Sequence, residues 1–183
     1  KQVEQIVWLY KLAPETINLP QSEGVPELQI FKLMLKGSEL SKDVLRSIDQ
    51  AVMFPVVFEV ESGDKVMLTA AFKRRSASVA DQWVLSDYYS TGWLSSTSQR
   101  LELKYSLDLG ALYEQILHSI LPFKPRTGEC LEDLVLRNEC IAKKKKEIDA
   151  LSNRLNTEKQ FNRKVEINAR IKVIQAAIEL LIN

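Results

Sequence analysis

The chain has 183 residues, 45% hydrophobic and 27% charged, with six glycines, six prolines and a formal net charge of +1. This composition fits one globular domain plus an appendage and argues against extensive disorder. The near-zero charge excludes a global pull toward nucleic acid or anionic membrane, leaving only local patches, and no apolar run approaches the roughly 20 residues that span a bilayer.

The opening, Lys1-Gln2-Val3-Glu4-Gln5, carries neither a signal-peptide pattern nor an initiator Met, as expected of a segment inside a longer gene product. Val3, Ile6, Val7 and Tyr10 recur at helical spacing and predict a helix over Val3–Leu12, stopped by Pro14. The stretch from Pro14 to Pro20 reads as extended, because each proline removes a donor and restrains its predecessor.

From Glu27 to Lys36 the sequence alternates as a strand, with Phe31, Leu33 and Leu35 on one face. Ser41 is a plausible N-cap for a helix whose buried stripe is Val44, Leu45, Ile48, Ala51 and Val52. Pro55 to Glu61 reads as a second strand. Ser62-Gly63-Asp64-Lys65 makes a hairpin turn, and Val66 to Lys73 returns with Val66, Leu68, Ala70 and Phe72 on one side. Two further strands are expected, Gln82 to Tyr89 and Leu101 to Tyr105, with a serine-rich loop, Ser95 to Ser98, between them. Asp108 caps a helix with Leu109, Leu112, Tyr113, Ile116, Leu117, Ile120 and Leu121 on one wide face, ended by Pro122.

The segment Pro122 to Gly128 is the best boundary, dividing an α+β domain (1–124) from a helical tail (125–183). Beyond Gly128 there is neither glycine nor proline. Leu134, Ile141, Ile148 and Leu155 recur every seven residues, joined by Leu151, and Ile167, Ile171, Ile174, Ile178 and Leu181 make a second stripe. Ile167 lies roughly 120° around the axis from Leu155, so one straight helix would display two seams. Thr157 to Gln160 matches a capping box and offers a fresh start. Both a helical hairpin and one continuous helix remain open. The expected fold is therefore α+β: a mainly antiparallel sheet of about five strands with flanking helices, then a C-terminal helical hairpin or coiled coil.

The chemical inventory is sparse. His118, the single histidine, sits near a helix C-terminus, where a dipole-compatible structural role is the simpler reading. No zinc, calcium or phosphate-loop motif is present, so no cofactor is expected. Cys130 and Cys140 are about 15 Å apart on a helix, too far for a disulfide, and read as reduced thiols of a cytoplasmic protein. Glu59, Glu61 and Asp64 surround the hairpin, a weak match to the acidic set with which a metal-dependent nuclease holds Mg²⁺. Lys73, Arg74 and Arg75, near Trp83, Tyr88, Tyr89 and Trp93, could hold phosphates and stack bases. The lysines 143 to 146 fan around their helix.

Four separated stretches, Tyr10-Lys11-Leu12-Ala13-Pro14-Glu15-Thr16-Ile17-Asn18-Leu19-Pro20, Ser86-Asp87-Tyr88, Asp108-Leu109-Gly110-Ala111-Leu112-Tyr113-Glu114-Gln115 and Glu158-Lys159-Gln160-Phe161-Asn162-Arg163-Lys164-Val165-Glu166-Ile167-Asn168, closely resemble the prokaryotic domain of unknown function 4391 family. The resemblance covers nearly the whole chain and carries no catalytic residues with it. It implies an accessory role in restriction-like DNA defence, with helicase and methyltransferase genes as neighbours.

The leading expectation is a non-enzymatic interaction or accessory protein that meets a protein partner, or itself, through Ile167, Ile171, Ile174, Ile178 and Leu181. The alternatives are a nuclease-like subunit using Glu59, Glu61 and Asp64, and a nucleic-acid-binding module using Lys73, Arg74 and Arg75.

Overall fold

The computed structural model describes residues 2–76, 82–100 and 102–183. The chain divides into two compact units, Lys1–Pro122 and Phe123–Asn183, and its architecture is α+β.

The first unit is built on a mixed sheet. Its strands are β1 (Val3–Leu12), β2 (Leu28–Leu35), β3 (Val56–Ser62), β4 (Lys65–Arg75) and β5 (Trp83–Ser90), in the order β1-β2-β3-β4-β5, and a short β6 (Leu94–Ser95) also pairs with β4. β2 and β3 run parallel, with helix α2 (Lys42–Ala51) in the crossover, and the other pairs are antiparallel. Leu33, Leu35, Leu45, Val56, Phe58, Val60, Ala71 and Tyr88 form the core against α2. Helix α3 (Leu109–Ile120) packs on β4 and β5, with Tyr113 stacked 6.4 Å from Phe72.

Three expectations are corrected here. Val3–Leu12 is a strand, not a helix. Register shifts between Val3 and Gln5 and between Trp8 and Tyr10 interrupt its alternation, and a bulge in a two-residue repeat leaves apolar residues at helix-like intervals. Pairing with β2 then decides the conformation. Pro14 starts a one-turn helix, α1 (Pro14–Ile17), where an extended segment was expected: proline at the first helical position loses no bond the helix needs. Thr16 Oγ1 accepts from the Ala13 amide at 2.9 Å, and Asn18 closes the turn at φ 53. Residues 102–105 form no strand, and Leu101 lies outside the described residues. The Lys104 amide instead donates to the Gln115 side chain at 2.7 Å, and Tyr105 is fully exposed.

The second unit is a hairpin of two helices, α4 (Leu131–Thr157) and α5 (Phe161–Ile182), which settles the alternative the sequence left open. The break falls where the change of phase placed it, but the capping differs. Thr157 closes α4, and the Glu158 carboxylate accepts from the Lys159 and Gln160 amides at 2.8 and 2.9 Å. Ile141 packs with Ile174 and Ile178, flanked by Ile148, Leu151 and Leu181. At the open end Arg137 forks onto Glu129 at 2.6 and 2.7 Å and reaches the carbonyls of Lys124 and Leu181. Arg126 donates to the Leu180 and Leu181 carbonyls at 3.0 and 2.7 Å. Two cations thus meet the negative end of α5.

Candidate functional site

Asp49, Lys73 and Tyr88 form a buried polar cluster in the first unit. Ser41 caps α2, accepting from the Asp43 amide, and the helix lays Leu45, Ile48 and Asp49 on one stripe, so a carboxylate enters an apolar face. From β4 the Lys73 ammonium reaches the end of that helix. It donates to the Asp49 carbonyl at 2.5 Å and to the Val52 carbonyl, and lies 3.8 Å from the Asp49 carboxylate. Tyr88 of β5 donates its phenol to the other carboxylate oxygen at 2.5 Å. A cation here meets unpaired carbonyls and the negative end of the helix dipole together.

Burial governs the electrostatics. It pushes the Asp49 carboxyl up to about 6, against the lowering effects of the Tyr88 hydrogen bond and the Lys73 charge. It pulls Lys73 below its ordinary value, with the Asp49 charge opposing. Two hydrogen bonds to carbonyls and the carboxylate 3.8 Å away argue that Lys73 stays an ammonium. Tyr88 is raised by burial and by its bond to Asp49, which fixes it as a donor. Tyr113 lies next to the cluster, its hydroxyl donating to the Ala71 carbonyl at 2.7 Å and accepting from the Lys73 amide at 3.0 Å.

Beside the cluster opens a cavity of about 500 Å³, lined by Arg46, Gln50 and Met53 from the α2 side, by Trp83, Val84 and Leu85 from β5 and by Gln82 just before it, with Asp49 and Lys73 also in its wall. Lys73 Nζ and the Arg75 guanidinium lie 5.7 and 5.2 Å from the Trp83 ring centroid.

Of the basic triplet, then, Lys73 is buried on α2, Arg75 lies against Trp83, and Arg74 donates to the Arg75 carbonyl at 3.3 Å. Glu59 and Glu61 share Lys32, at 3.7 and 2.6 Å, and Arg100 lies 3.1 Å from Glu59, whereas Asp64 sits in the exposed turn. Among the described residues no group of three His, Cys, Asp or Glu side chains is placed to hold a metal ion. His118 lies 3.6 Å from Glu114, one turn back on α3. Cys130 and Cys140 are free and exposed, and Lys145 lies over Phe123 at 5.5 Å. No helix among the described residues is long and apolar enough to cross a membrane.

In the hairpin, Ile167, Ile171, Ile174 and Ile178 are buried, with Leu181 partly so. The opposite side of α5 carries a second apolar stripe, Val165, Ala169, Val173, Ala176 and Leu180, all exposed, with Val173 and Leu180 at 69% and 79%. At 100° per residue these five fall within about 80° of one another, and their centre lies about 170° from that of the four isoleucines. Sequence reading missed this stripe because its two alanines carry little hydrophobic signal. It missed Asp49 as well, although a carboxylate four residues after Leu45 and next to Ile48 was visible.

Compared with known proteins, the chain matches a family model described as "Domain of unknown function (DUF4391)" over residues 1–178. No curated protein and no solved structure matches it.

Proposed function

The chain belongs to the DUF4391 family of domains of unknown function, and from that premise we propose that it is a non-enzymatic interaction subunit that assembles through α5, a second copy lying antiparallel along the outer stripe. The observation that carries this is a helix apolar on two opposite faces with only one of them covered. A helix of that kind belongs in an interior, and an uncovered seam of coiled-coil spacing fits another helix. Four members of the stripe also pair off about a centre between Lys172 and Val173, while Val173 itself mirrors Lys172. Val165 mirrors Leu180 and Ala169 mirrors Ala176, so a two-fold antiparallel copy sets small residue against small residue and lets the backbones approach. We infer further that this assembly serves restriction-like DNA defence, beside helicase or methyltransferase neighbours. Light scattering on the intact chain tests the reading. The expected mass is twice 20.9 kDa, falling to one chain in the Val173→Asp/Leu180→Asp variant with its helical content kept. A single-chain mass for the wild type would overturn it.

A further inference from the structure

The cavity beside Asp49 and Lys73 has the build of a ligand site, independently of what α5 does. Its volume of about 500 Å³ falls in the range of small-molecule pockets, which are mostly apolar with a few converging polar groups. The apolar side comes from Met53, Trp83, Val84 and Leu85. Met53 and Val84 are exposed, Met53 at 67%, so the apolar wall of the cavity reaches solvent. Trp83 is held in place by the two cations against its ring. The polar side has a definite sign. Arg46 and Lys73 are set against one carboxylate, Asp49, and that carboxylate is already engaged by Lys73 and Tyr88. Positive charge is therefore left over at Arg46, whose planar fork suits carboxylate or phosphate oxygens. The side-chain amides of Gln50 and Gln82 add donors and acceptors.

We propose that this cavity binds a small organic anion built on a flat ring, the ring lying among Met53, Trp83 and Leu85 and the anionic group on Arg46. An aromatic carboxylate and a nucleoside monophosphate share that chemistry. The two are separated by titrating the intact protein with 1-naphthoate and, in parallel, with uridine 5′-monophosphate, following the indole N–H resonances of Trp8, Trp83 and Trp93. The expected result is a saturable shift confined to the Trp83 signal with at least one probe, and the responding probe names the source. Arg46 is exposed, so Arg46→Glu should fold normally and weaken binding at least tenfold, and Trp83→Leu should do the same when followed by calorimetry. No saturable response to either probe, or binding that survives both substitutions unchanged, would overturn the assignment.

Discussion

Lys73 of β4 donates its ammonium to the main-chain carbonyl of Asp49 at 2.5 Å, tying the last turn of α2 to the centre of the sheet. Both residues are almost wholly buried, so the tie replaces hydration that neither can recover. Lys73→Met leaves the Asp49 carboxylate and two carbonyls without their cation. Breaking a buried pair from one side costs about 3–5 kcal/mol, and urea unfolding should show a loss of that order. Asp49→Asn should lose less, because an amide oxygen still accepts from Tyr88. Equal losses would mean that the carboxylate, and not the capping of carbonyls, dominates.

The same cluster sets a pH dependence. Asp49 titrates at about 6 in the fold against an ordinary 3.8. Between those values the unfolded chain has released the proton while the folded chain keeps it, so stability falls as pH rises through the window and levels off above it. A shift of this size corresponds to roughly 3 kcal/mol at most. Asp49→Asn removes the slope, so the variant gains on the wild type between pH 4 and pH 7. Parallel pH profiles from urea midpoints would contradict this.

Gly110 opens α3 where a side chain has no room. A Cβ there would meet Ser22 Oγ and come within 3.0 Å of Ser22 Cβ. Gly110→Ala should destabilise by about 1–3 kcal/mol, the usual range for overpacking. Adding Ser22→Gly should restore most of the loss, a coupling expected only for residues in contact. Additive losses would place the strain elsewhere.

At the hairpin's open end, the Arg137 fork holds the Glu129 carboxyl at about 2, with the Arg126 amide assisting. Arg137→Ala removes that partner and the cation at the Leu181 carbonyl. Hydrogen bonds to charged groups contribute about 1.5–3 kcal/mol, so amide exchange over the last two turns of α5 should speed up by a corresponding factor. Unchanged exchange there would show that Arg126 alone closes the end.

Much of the fold was legible in the residues. Ser41 and Asp108 cap the helices their spacing announced, and the phase change between Leu155 and Ile167 located the hairpin break. What misled was β1, where two bulges erase the two-residue repeat, and Pro14, whose helix-starting role depends on the turn closed by Thr16 and Asn18. The candidate site was harder to read. Asp49, Lys73, Tyr88 and Arg46 come from α2, β4 and β5, and only the crossover brings them together. The outer face of α5 was hidden differently: an alanine-rich seam has geometry without much hydrophobic weight.

The assembly claim is tested most directly by cysteine pairing across the two-fold axis. With Cys130 and Cys140 replaced by Ser, chains carrying Ala169→Cys alone and chains carrying Ala176→Cys alone are prepared separately and then mixed under mild oxidation. Antiparallel packing puts position 169 of one copy level with 176 of the other, whereas two 169 positions stand seven residues, or about 10 Å, apart along the axis, beyond disulfide reach. The account predicts a covalent dimer in the mixture and almost none from either variant alone. Equal cross-linking of each variant with itself, or no cross-linking in the mixture, would contradict it.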